Sequence, residues 1–179
     1  MQYMLKKAFL VFSILFVAAG SACAATYEEG KHYMRVDVAS SAEAGKVEVL
    51  EFFWYGCPHC YSFEPKLGEW KKSKPASVKF TRVPATFQPL WELHARAYYA
   101  LEMLGAVEKN HPKFFNEIHN KKNYMKTIDA LATFVQKQGV DRSEFVDAMN
   151  SFTVETLSLI HISEPTRPNA PSRMPSSGG

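Results

Sequence analysis

The chain has 179 residues, 46% of them apolar and 22% charged, so one domain with a packed core is expected and global disorder is excluded. Three cysteines are too few for a disulfide-stapled scaffold, and their odd number leaves one to be explained. The formal charge of +3 comes from the ends: without Lys6, Lys7, Arg167, Arg173 and Glu164 the body carries 17 positive and 17 negative residues, which excludes an electrostatic footprint for nucleic acid.

Residues 1–24 follow the pattern of a secretory signal peptide. Lys6 and Lys7 precede an apolar run from Ala8 to Ala19, and Ala22-Cys23-Ala24 supplies an A-x-A cleavage site. Cleavage there puts the mature N-terminus at Ala25, removes Cys23 and leaves two cysteines in an oxidising compartment. Two alternatives stay open. Ala8 to Ala25 approaches the roughly 20 residues that span a bilayer, as an uncleaved anchor would. Lipidation of Cys23 is the other, although Gly20 stands where a large aliphatic residue is usual.

An edge strand is expected around Tyr33–Val38. The β-branched and aromatic run Val47–Trp54 reads as a largely buried strand. Glu51 inside it must find a partner or stay protonated. A helix follows, marked by Tyr61, Phe63, Leu67 and Trp70. Pro58 suits its first turn, whereas Pro65 falls in its interior and predicts a kink. Ser77–Val83 reads as a second core strand closed by Pro84, completing a βαβ unit. From Leu90 to Asn150 the pattern is helical. Leu90, Leu93, Ala97, Ala100, Leu101 and Leu104 mark one apolar face, ending at Gly105; Phe114, Phe115 and Ile118 mark a second. Ile128, Leu131, Phe134 and Val135 mark a third, ending at Gly139. Asp141 and Glu144 have the spacing of a helix cap. Lys71, Lys72, Lys74, Lys121 and Lys122 read as solvated faces.

Cys57-Pro58-His59-Cys60, at the point where a strand gives way to a helix, is the most informative feature. Zinc would need two further ligands at suitable spacing, and His94, His111 and His119 on helices without nearby cysteine do not supply them. A purely structural disulfide across so short a loop would constrain the unfolded chain little. A redox pair fits better. Cys57 at the helix start would be exposed, with unpaired backbone N–H groups directed at its sulfur. A helix terminus contributes about 0.3–1 kcal/mol, up to about 2 when partly buried, so it lowers a thiol pKa by only about one unit. His59 is the further source expected for a strongly acidic thiol, and Cys60, one turn deeper, is the resolving thiol. Stabilising the thiolate stabilises the reduced form and makes the disulfide an oxidant.

Glu51-Phe52-Phe53-Trp54-Tyr55-Gly56-Cys57-Pro58-His59-Cys60-Tyr61 closely resembles the DsbA family of bacterial periplasmic thiol:disulfide oxidoreductases. Pro-His between the cysteines is that family's usual pair, and the likeness runs from Tyr27–Lys31 to Asn150–Phe152. The resemblance implies an α/β, thioredoxin-like fold with an inserted helical domain. It implies an enzyme that donates the Cys57–Cys60 disulfide to newly exported proteins through a mixed disulfide on Cys57. It further implies reoxidation by the membrane protein DsbB, periplasmic location, a monomer, no metal and no cofactor beyond that disulfide. Pro58, His59, Glu51 and Glu64 are the residues expected to tune the site. Glu51 matches the family's buried acid, with Arg82 as its charge partner and either a structural or a proton-shuttling role.

The expected boundaries are 25–84 for the first part of the thioredoxin-like domain, 85–150 for the helical insertion and 151–157 for the start of the return segment. From Ser158 onward the text turns Pro-rich and loses periodicity. It reads as a disordered, foreign tail resembling sequencing-adapter read-through, so the return strands, final helix and cis-proline loop of the family are expected to be missing. Val83-Pro84 does not replace that loop, because it precedes the insertion. An uncovered apolar sheet edge is then expected, with poor or partly molten folding. Alternatives are a reductase or isomerase with the same motif, or an inactive fragment or peptide-binding module.

Overall fold

The computed structural model describes residues 26–36, 42 and 44–160. The expected signal peptide, Cys23 and the tail beyond Ile160 lie outside the described residues. Two compact units, 1–38 and 39–179, are taken separately.

In the first unit, Gly30 adopts a left-handed φ of 83° that turns the chain, and its N–H donates to the Tyr33 carbonyl at 2.7 Å. Glu29 and Tyr33 form a single bridge, while 34–36 are irregular. The strand expected around Tyr33–Val38 is therefore absent over residues 33–36, and 37–38 lie outside the described residues. The tight turn pairs the segment with itself instead.

The second unit begins with a βαβ crossover: β1 (Val47–Phe53), α1 (Pro58–Ser73) and β2 (Val78–Pro84). The strands pair in parallel, with Glu51 opposite Arg82 and Phe53 opposite Pro84. Parallel strands require such a long connection, and the helix supplies it. Cys57 is the N-cap of α1 with Pro58 in its first turn, and the helix continues through Pro65. The expected burial of β1 is only partly met. Phe53 is 2% exposed, but Val47, Leu50 and Phe52 are 57%, 46% and 67% exposed. Among the described residues β1 has only β2 beside it, so much of its apolar surface is uncovered.

The helices follow as α2 (Pro89–Met103), α3 (Val107–His119), α4 (Ile128–Gln136), α5 (Arg142–Met149) and α6 (Phe152–Ile160). Their apolar faces form the core: Ala97, Ala100, Leu101, Phe114, Phe115, Ile118, Leu131, Val135 and Phe145 are all buried, with Phe53 and Tyr55 reaching into the same cluster. Gly105 and Gly139 adopt left-handed backbone where α2 and α4 end, as expected of C-terminal glycines. Asp141 caps α5 by accepting the Glu144 N–H at 2.9 Å. The tail boundary expected at Ser158 falls inside α6. Val154 and Ser158, one turn apart, are both fully buried, so packing carries the helix past the compositional change.

Candidate active site

Residues 54–57 form the turn that carries the chain from β1 into α1. The Trp54 carbonyl accepts the Cys57 N–H at 2.9 Å. Gly56 is buried, and a Cβ there would lie 2.3 Å from the Trp54 ring, so the indole can cover this turn only because the residue has no side chain. Cys57 and Cys60 are half-buried free thiols. The Cys60 N–H donates to the Cys57 sulfur at 3.3 Å, the interaction expected of an N-cap.

The two thiols are driven apart in acidity. Burial pushes the Cys57 thiol up, but hydrogen bonds from the Cys60 thiol and from the backbone N–H groups of Cys60 and His59 hold it below its ordinary value of 9.0. Burial pushes Cys60 up to about 11, assisted by its hydrogen bond to Cys57. His59 contributes through its main chain. Its side chain is exposed, and among the described residues the imidazole has no hydrogen bond or ion pair. Pro58 is likewise exposed, fixing φ in the first helical turn.

Beneath the dithiol lies a charge network. Arg82 Nε donates to Glu51 Oε2 at 2.8 Å, and its Nη2 meets both Glu64 oxygens at 2.9 and 3.0 Å. Arg82, almost wholly buried, satisfies carboxylates from β1 and α1 at once. The expected Glu51–Arg82 pairing is present, and Glu64, one turn beyond Cys60, joins it. His111 Nε2 stands 3.3 Å from Glu64 Oε1. Burial raises Glu51 more than Arg82 lowers it, whereas Glu64, also pushed up by burial, is held below its ordinary value by His111 and Arg82.

His94, His111 and His119, placed on helices by the sequence and set aside as zinc ligands, all meet the turn before Cys57. His94 Nδ1 accepts the Trp54 indole N–H at 3.2 Å, His111 Nδ1 meets the Tyr55 hydroxyl at 3.0 Å, and His119 Nε2 donates to the Tyr55 carbonyl at 2.9 Å. The His119 ring also stacks on Tyr61, which follows Cys60, with centroids 4.7 Å apart. Helical periodicity put them on faces but could not say which faces meet this turn. Among the described residues no cluster of His, Cys, Asp and Glu could hold a metal ion. Along β1 and α1, an open groove of about 970 Å³ is lined by Leu50, Phe52, Phe63, Trp70 and Phe80, together with Cys60 and Glu51.

The profile of the thioredoxin family matches residues 36–165. The chain is 48% identical over 143 residues to the thiol:disulfide interchange protein DsbA of Burkholderia cepacia, covering 78% of this chain and 68% of that protein. The chain belongs to the DsbA family. The thiol:disulfide interchange protein DsbA of Pseudomonas aeruginosa is 36% identical over 156 residues, covering 87% of this chain and 73% of its own. A crystal structure of a P. aeruginosa DsbA variant superposes with a TM-score of 0.72 at 35% identity, covering 76% of this chain and 74% of that one. DsbA from Xylella fastidiosa superposes with a TM-score of 0.62 at 39% identity, covering 66% of this chain and 65% of that one. The thioredoxin-like α/β fold and membership of a family of thiol:disulfide oxidoreductases, both expected from the Cys-Pro-His-Cys segment, are thus established. The profile match also runs beyond Leu157, where the resemblance was expected to stop.

Proposed function

We propose that the chain is a dithiol oxidase that donates a Cys57–Cys60 disulfide to newly exported proteins in the periplasm. The observation that carries this reading is the Cys57 sulfur at the N-cap of α1, accepting the Cys60 N–H at 3.3 Å. Burial there is outweighed by hydrogen bonds that hold Cys57 low in pKa, while burial drives Cys60 up. A substrate thiolate attacks the Cys57 sulfur of the disulfide and Cys60 leaves; once released, its high pKa draws a proton onto it. A second substrate thiolate then attacks the substrate sulfur of the mixed disulfide, and Cys57 leaves as a stabilised thiolate. The substrate passes two electrons to the enzyme and loses two protons, one ending on Cys60 and the other in solvent while Cys57 stays a thiolate. No cofactor beyond the cysteine pair is required.

Pro58 and the His59 N–H serve the cap that stabilises Cys57. Glu51 adds to the field that raises Cys60, and Arg82 holds Glu51 and Glu64 together beneath the pair. Burial holds the Glu51 carboxyl above its ordinary pKa, which suits it to exchange a proton with Cys60. Regeneration falls to a membrane oxidant of the DsbB type, with the chain acting as a monomer. Turnover of a reduced, unfolded substrate tests the reading. The chain should oxidise it catalytically when supplied with a disulfide reoxidant, and Cys57→Ser should abolish turnover; equal rates with Cys57→Ser would refute it.

A further inference from the structure

Of the three histidines around the Trp54–Tyr55 turn, only one must be uncharged to do what it does. His119 donates to the Tyr55 carbonyl and remains a donor when protonated. His111 faces a hydroxyl, which can turn to donate or to accept. His94 has no such latitude. Its Nδ1 faces the Trp54 indole N–H at 3.2 Å, which only donates, and its Nε2 faces the Tyr124 carbonyl at 2.8 Å, which only accepts. The two bonds specify one neutral tautomer. The Tyr124 carbonyl is itself presented by unusual backbone, because the next residue, Met125, is 1% exposed and left-handed at φ 45°. The indole so held lies over Gly56, stacks on Trp91 at 4.4 Å, and belongs to the residue whose carbonyl accepts the Cys57 N–H.

We propose that His94 is a positioning residue for the Cys57 thiol: its neutral ring holds the Trp54 indole over Gly56, fixing the turn that aligns the first N–H groups of α1 on the Cys57 sulfur. The proposal rests on the reading of Cys57 as the sulfur that forms the mixed disulfide and leaves as a stabilised thiolate. Protonating Nδ1 would set a donor against a donor, so the charged ring releases the indole. The groups facing His94 are Trp54 and the titratable Tyr55 from the turn, Phe114 from α3, and the Tyr124 and Met125 carbonyls; no carboxylate or cation among the described residues acts on it. Burial lowers its pKa from the ordinary 6.5, so release belongs to acid pH.

Thiolate absorbance at 240 nm, followed against pH on the reduced full chain, tests this, with Cys57→Ser assigning the signal. His94→Leu and Trp54→Phe should each raise the Cys57 titration by about half a unit or more, with no further rise in the double variant. His94→Asn keeps an acceptor for the indole but cannot titrate. It should leave the thiolate near its original position and abolish an acid-side step in tryptophan fluorescence. Unchanged titration in both His94→Leu and Trp54→Phe overturns the proposal, as does a rise in His94→Leu without one in Trp54→Phe. If His94→Leu does not fold, Trp54→Phe and His94→Asn decide. Failed substrate turnover with this titration pattern intact would count instead against the oxidase reading.

Discussion

At the scale of residues, the site depends on two neighbouring thiols in unequal surroundings. Cys57 sits at a helix start where N–H groups lack intrahelical partners, so its sulfur gains two backbone donors; Cys60, three residues on, is donor to it and more deeply buried. Arg82 has the corresponding place among the buried charges. Arg82→Met should leave two buried carboxylates uncompensated and destabilise the fold by about 3–5 kcal/mol in urea unfolding. The pH dependence follows from the directions. Glu64 is depressed in the folded chain, so its stabilisation is present above the ordinary carboxylate range and is lost as pH falls through its folded value. His94 and His111 are depressed by burial, so the unfolded chain binds more protons and stability also declines as pH falls below the ordinary 6.5. Glu51 acts in the opposite sense, because its raised value favours protonation in the folded state. The urea midpoint should therefore fall from pH 7 to pH 5, and in Glu64→Gln the further loss below pH 5 should shrink.

At the scale of elements, the weight of the core lies in the helices. Leu101 on α2 is fully buried among Phe114, Phe115 and their neighbours, whereas Leu50 on β1 is 46% exposed. Leu101→Ala should cost about 2–5 kcal/mol and Leu50→Ala well under about half of that, by urea denaturation of the two variants side by side. The helical faces were legible in the sequence because a period of 3.6 marks a buried stripe whatever it packs against. The Asp141 cap was legible because capping is local. Burial of β1 was less so. A run such as Val47–Trp54 shows that a strand wants covering but not whether neighbours cover both faces. The segment at 33–36 was misread because a short alternation cannot be told from a turn closed by Gly30.

At the scale of the whole molecule, the open groove beside β1 and α1 is the feature that sets this chain's surface apart. Phe52, Phe63 and Leu50 are exposed along a cavity of about 970 Å³, a contiguous apolar surface larger than scattered exposed residues would give. The native chain should accordingly bind an apolar dye such as ANS, with fluorescence reduced by at least about half in Phe52→Lys/Phe63→Lys. Unchanged dye binding in that variant would place the apolar surface elsewhere.

What the sequence determined by itself was the chemistry and the family. Cys57-Pro58-His59-Cys60 after a strand is a local arrangement, and the acidity of an N-cap thiol follows from helix geometry that four residues suffice to build. The Glu51–Arg82 pairing was also within reach, since parallel register sets neighbouring strands side by side. The tertiary structure alone decided that Glu64 shares Arg82 and that three distant histidines support the motif. Glu64 and Arg82 meet because α1 packs its Glu64 side against β2. His94, His111 and His119 reach Trp54 and Tyr55 across 40, 56 and 64 residues because α2 and α3 pack their faces over the turn. No local propensity encodes such separations; only the closing of the core brings them together.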